Sequence, residues 1–163
     1  MTGIGRITNA MITYYAGDIR RINHFLKVHS FAKTIGELEC LNESTQEILE
    51  IAALTHDIGI KKSEEKYISS AGSYQQIEGP PEAKKLLEDL DIESETIERV
   101  CWLIAHHHTY TDIQGLDYQI LVEADFLVNA YEDKMSTTAI KGFMTKVFVT
   151  ETGMKLLKLM YEL

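Results

Sequence analysis

Apolar residues recur along this chain at three- and four-residue spacing far more than at alternate positions, and that periodicity predicts helices. Asp18 stands as an N-cap ahead of "IRRINHFLKVHSFAKTIGELEC", where Ile22, Phe25, Leu26, Ala32 and Ile35 keep helical spacing. Ser44 and Glu47 have the spacing of a capping box that opens a second helix, with Ile48, Ile51, Ala52 and Leu54 leading to His56 and Asp57. From Lys61 to Gly79 the periodicity fades among Ser, Gly and two tyrosines, which predicts a long loop with at most a short helical turn. Helix resumes at Pro80 and Pro81, residues tolerated in a first turn because their missing N–H would have no partner there.

"SETIERVCWLIAHHHTY" follows, with Ile97, Val100, Cys101 and Ile104 on one face and three histidines at its end. "LDYQILVEADFLVNAYED" is apolar all round, as a buried helix should be. A final helical region from Ser136 onward is expected to break near Gly153. The fold class expected is therefore all-α, a bundle of about six to eight helices, with residues 1–163 forming a single domain large enough to bury a core without disulfides.

Charge narrows the partners. The net charge is −9 with no stripe of Lys and Arg, so a nucleic-acid polymer is not expected; one pocket with a metal and a few basic residues could still hold a small phosphorylated molecule. Cys40 and Cys101 lie far apart and outside any Cys-x-x-Cys pair, as reduced thiols would. No stretch approaches the roughly 20 apolar residues of a membrane span, and the N-terminus has no signal-peptide core, so a cytoplasmic protein is expected.

Against this apolar background the polar residues inside helices stand out: His24 and His29, the His56–Asp57 pair, His106 to His108, and Asp125. A His-Asp dipeptide by itself means little, since six histidines and eight aspartates in 163 residues would produce about 0.3 of them by chance. Acids are rarely buried unless paired or metal-bound, and here a histidine or an acid recurs on four separate helical segments, the arrangement from which bundles build metal sites. Two histidines and two aspartates would leave coordination positions open, and Mn, Fe, Co, Ni, Mg and Zn all suit such a set.

Each residue also has a structural reading. His29 is expected to be a hydrogen-bonded core histidine, and Glu123, two residues from Asp125, a structural acid. The triple histidine could stabilise a helix C-terminus, and Asp125 could pair with an arginine.

The four-part order resembles the HD superfamily of metal-dependent phosphohydrolases over roughly Ile19 to Asp133: "RINHFLKVHSFA", "LTHDIG", "IAHHHTY" and "VEADFLVN". The resemblance implies metal ligands at His24, His56, Asp57 and Asp125, with Asp57 catalytic and placed to bridge a second ion. It implies a second-metal or substrate role for His107 and His108 in preference to His106. The chain departs from the family's common His-Asp-x-Gly-Lys form by having Ile60 at the lysine position, with Lys61 and Lys62 just after it.

The function expected is hydrolysis of a small phosphorylated substrate, first of all a nucleotide, by a metal-activated water attacking phosphorus in line. The alternative is a catalytically silent domain that binds metal or nucleotide as a sensor or scaffold. Arg20, Arg21 and Lys61 are candidate phosphate partners. Tyr67, Tyr74 and Glu78 could line a lid if the loop closes over the site.

Overall fold

Side-chain caps open four of the helices, at Asp18, Asn42, Ser136 and Thr150. Asp18 accepts from the Arg21 N–H and opens a twenty-residue helix, as expected. Asn42, not Ser44, caps the next one by accepting from the Thr45 N–H, so the Ser44–Glu47 pair lies inside the helix and forms no capping box. The computed structural model describes residues 3–163, which form nine α-helices and no strand. In chain order they are α1 (Ile4–Tyr14), α2 (Ile19–Leu38), α3 (Glu43–Thr55), α4 (Gly59–Tyr67), α5 (Gly72–Glu88), α6 (Ser94–His106), α7 (Leu116–Glu132), α8 (Thr137–Val147) and α9 (Glu151–Tyr161).

The centre of the bundle is α3 and α7. Every residue from Leu49 to Thr55 is buried, as is every residue from Asp117 to Val128, so neither helix keeps a solvent face over that stretch. α2 packs against both, α6 packs on α3, and α1 with its C-cap residue Tyr15 lays Ile7, Met11 and Tyr15 into the same core. Arg99 fixes the start of α7 with paired 2.8 Å bonds to the Asp117 carboxylate. The preceding Gly115 has φ of +94°, a left-handed value that suits glycine.

The all-α expectation holds, and the surplus over eight helices comes from two places. α1 was not anticipated. The stretch expected to be a loop is instead α4, a short connection and the first half of α5. α4 has no apolar stripe: its buried residues are Gly59 and Ser63, four apart, and its other side chains are largely charged. At Gly59 the approach of α4 to α5 is backbone to backbone, since a Cβ there would lie 2.7 Å from the Gly79 nitrogen and 2.9 Å from the Gln75 carbonyl. Pro80 and Pro81 therefore sit inside α5 rather than at its start. An interior proline costs a helix roughly 3 kcal/mol, and here α5 is held on both sides by α4 and α6.

The last break also differs from expectation. It falls at Phe148–Thr150 because Thr150 caps α9, with Gly153 in the first turn. Glu123 on α7 accepts from the backbone N–H groups of Val149 (2.8 Å) and Thr150 (3.0 Å) and from the Thr150 hydroxyl (2.5 Å). It is the structural acid the sequence suggested. Cys40 and Cys101 are free thiols, and no described helix is long and apolar enough to cross a membrane.

Candidate metal centre

Four segments deliver the polar residues to one place. His24 comes from the second turn of α2, His56 and Asp57 from the end of α3, His107 and His108 from just past α6, and Asp125 from the middle of α7. The chain turns sharply at Asp57: Ile58 N–H bonds to Thr55 O at 2.9 Å, and Ile60 N–H to Asp57 O at 3.0 Å. The buried Tyr15 hydroxyl donates to the same Asp57 carbonyl at 2.8 Å, so α1 holds the turn from behind. Successive helical side chains diverge by about 100°, yet His56 Nε2 and Asp57 Oδ2 converge to 3.3 Å.

The Nε2 atoms of His24 and His56 lie 3.3 Å apart. His24 Nε2 is 3.2 Å from both Asp57 Oδ2 and Asp125 Oδ1, and His56 Nε2 is 3.4 Å from Asp125 Oδ1. Ligands about 2.1 Å from one centre, at right to tetrahedral angles, are roughly 3.0–3.4 Å apart. The separations among His24, His56 and Asp125 therefore match a shared ion, with Asp57 Oδ2 beside both imidazoles. A second convergence joins His56, Asp57 and His107, with His107 Nε2 3.5 Å from Asp57 Oδ1.

Tautomers follow from the outward bonds. His56 Nδ1 lies 2.8 Å from Ala53 O, and His107 Nδ1 lies 2.8 Å from Ile104 O. A carbonyl can only accept, so each Nδ1 carries the proton and each Nε2 presents a lone pair inward. His24 Nδ1 is likewise 3.1 Å from the Glu132 carboxylate, which Lys27 Nζ contacts at 2.8 Å. Carboxylate- and carbonyl-anchored imidazoles of this kind are typical supports of metal ligands. Buried His107 Nε2 and Asp125 Oδ1 have no hydrogen-bond partner, an expensive state for polar atoms that a cation would relieve.

Without a cation the charges compensate one another. Burial pushes the His24 imidazole down, but the Asp125 and Asp57 carboxylates outweigh it and hold it up at about 9. Burial likewise opposes the charged form of His56, which the same two acids raise well above the usual range. Burial would raise Asp57 and Asp125, and the surrounding imidazoles instead hold both below the ordinary carboxylate range. Burial and the neighbouring His107 push His108 down to about 4.

This centre forms the floor of a cavity of about 640 Å³, within the usual size for a small-molecule site. His24, Asp57 and Asp125 line it together with Arg20, Arg21 and His108, while His56 and His107 lie wholly buried beneath. Arg21 is engaged by Asp18 at 2.9 Å and by Glu64. His106 turns away and stacks on Trp102, with ring centroids 4.0 Å apart. His29 bonds to Glu50 at 2.9 Å, as a structural histidine.

Four candidates, Lys61, Tyr67, Tyr74 and Glu78, are not brought to the cavity. Lys61 donates to Tyr14 O at 3.3 Å and sits over the Tyr14 ring. Tyr74 stacks on Tyr67 at 4.1 Å, and Glu78 accepts from Tyr67 (2.8 Å) and Lys66 (2.9 Å). Lys61 ties α4 to α1, and the others are consumed in bracing α4 against α5, because the expected loop is helical. Two residues not anticipated do reach the site. Gln75 accepts from His108 at 3.1 Å and donates to Ser70 O at 2.7 Å. Glu132 was findable, since Asp125, Asn129 and Glu132 follow the spacing of one helical face.

The HD domain family matches residues 21–141, a span that contains all the convergent histidines and acids. No curated protein matches. The fold resembles the crystal structure of a predicted HD superfamily hydrolase from an uncultured Thermotogales bacterium, with a TM-score of 0.69 and 23% identity over 98% of this chain and 86% of that one. At that identity the likeness is one of fold.

Proposed function

This chain belongs to the HD domain family, and on that premise we propose that it is a metal-dependent phosphohydrolase acting on a small phosphorylated molecule, with a nucleotide as the first candidate. The observation that carries the proposal is the approach, within 3.2–3.4 Å, of two inward imidazole nitrogens and two carboxylates on a cavity floor. We assign His24, His56, Asp57 and Asp125 as the ligands of a divalent ion. The two imidazoles favour a transition ion such as Mn, Fe, Co, Ni or Zn over Mg. When bound, the ion supplies a Lewis acid for a phosphoryl oxygen and lowers the pKa of a coordinated water.

The protein's own groups do the rest. Asp57 is the more open of the two acids, its side chain 19% exposed against 7% for Asp125. It borders the cavity and is the carboxylate placed to take a proton from the incoming nucleophile. Its Oδ2 faces His24 and His56 while Oδ1 faces His107, so it can also serve a second ion. Glu132 fixes the His24 ring, and Ala53 O fixes His56, so that neither imidazole reorients during turnover. Arg20 at the cavity is the cation available to a phosphate oxygen; His108, held by Gln75, borders the same space.

We read the whole chain as one HD-type unit, with a motif-bearing core at residues 19–133 and helices at 136–163 closing it. Support comes from Glu123 capping α9 and from the Tyr161 hydroxyl donating to Leu127 O at 2.7 Å.

The test is turnover of nucleoside monophosphates, cyclic nucleotides, dinucleoside polyphosphates and generic phosphoesters with each divalent ion, alongside metal analysis of the purified protein. Asp57→Ala is expected to lower kcat by at least about a hundredfold. A variant with unchanged turnover would sink the mechanism, and a protein that neither holds metal nor responds to chelator would sink the metal assignment.

A further inference from the structure

The charges around the cavity are nearly all spoken for. A divalent ion on the floor would be balanced by Asp57 and Asp125. Arg21 is matched by Asp18 and Glu64, and Glu132 by Lys27 and the His24 N–H. Among the described residues that line the cavity, this leaves one guanidinium, Arg20, and one carboxylate, Asp133, neither of them in an ion pair. Lysines that could have added charge are engaged elsewhere: Lys61 on Tyr14, Lys66 on Glu78 and Lys62 beside Glu65. The remaining wall offers the Ser70 hydroxyl, the Tyr110 ring and hydroxyl and the Asn129 amide, all uncharged.

From this balance we infer that the site takes an ester carrying a single phosphate group on an uncharged, hydrogen-bonding organic body, and that it disfavours a second phosphate. The inference rests on the phosphohydrolase reading and deepens it. One phosphate can take an open coordination position on the ion and pair with Arg20. A second would find no free cation, and Asp133 would repel it in a protein whose net charge is already −9. The polar body could be a nucleoside or a sugar, because Ser70, Asn129 and Tyr110 supply hydrogen bonds to either and the exposed Tyr110 ring, backed edge-on by Phe143 at 5.1 Å, supplies a face for a base.

The test uses pairs in which the two phosphates are too far apart to chelate metal strongly: a nucleoside 5′-monophosphate against its 3′,5′-bisphosphate, and a hexose monophosphate against its bisphosphate. Dissociation constants for the Mn²⁺-loaded protein are measured by calorimetry in the cold, and kcat/KM is measured separately. The monophosphate of at least one pair is expected to bind about tenfold more tightly than its bisphosphate, and Asp133→Lys is expected to narrow that gap. Whichever pair binds more tightly identifies the organic body. Equal or tighter binding of the bisphosphate in both pairs, no binding of any of the four, or a gap untouched by Asp133→Lys would overturn the inference. Selective binding without turnover would keep the inference and remove the hydrolase reading.

Discussion

Glu132 illustrates how a residue outside a motif can govern one inside it. Its carboxylate holds the Nδ1–H of His24, and Lys27 holds the carboxylate in turn. Glu132→Gln keeps the size and an acceptor oxygen but gives up the charge that makes His24 a stronger donor to metal. Loss of such a support commonly weakens metal affinity by about 10–100-fold, so competition against a fluorescent chelator should show a drop in that range with the helical circular dichroism unchanged. An unchanged affinity would make Glu132 a structural residue only. At this scale the chain was readable where the surprise was chemical, as with His24, His56, Asp57 and Asp125 on apolar helices. It was less readable where the residue was an ordinary surface type: Lys61 is occupied by Tyr14 of α1, and Tyr74 and Glu78 by the packing of α4 on α5.

The elements were legible in proportion to their apolar stripes. α2, α3, α6 and α7 bury long side chains, and their periodicity was visible. α4 escaped because it packs through small residues, and a glycine facing a glycine leaves no hydrophobic signal. The same fact makes that contact intolerant of added volume. In Gly59→Ala the new methyl would press on the α5 backbone at Gly79 and Gln75, groups that cannot rotate aside as a side chain could. Overpacking of this kind typically costs 1–3 kcal/mol, so the midpoint of urea unfolding should fall by an amount of about that size. Gly5→Ala is the control, because nothing lies within 4 Å of a Cβ there, and helix propensity alone predicts roughly 0.5–1 kcal/mol of stabilisation. Equal effects at the two positions would remove the close-approach account of why α4 is a helix.

For the whole molecule, the centre acts as a tie between α2, α3 and α7, and two kinds of charge can hold it together. Stripped of metal, the His24 imidazolium is stabilised by Asp57 and Asp125, which raises its pKa from the ordinary 6.5 to about 9. A pKa raised on folding contributes stability that is fully present below about 6.5 and is lost as pH climbs through the folded value. The lowered pKa values of Asp57 and Asp125 contribute in the opposite sense, present above the ordinary carboxylate range and lost on acidification. Stripped protein should thus be most stable in the mildly acidic window between those limits and should weaken from pH 6.5 to 9. Metal needs the unprotonated Nε2, so its binding strengthens over the same rise in pH. Ion at about a hundred times its dissociation constant adds about 2.7 kcal/mol, on the order of 5–10 °C in Tm for a chain of this length. Calorimetry of loaded and chelator-stripped protein should therefore show a gap in Tm that widens from pH 6.5 to 9; a gap that stays constant or shrinks would mean that protons and metal do not compete for His24, and the four-residue centre would have to be reassigned.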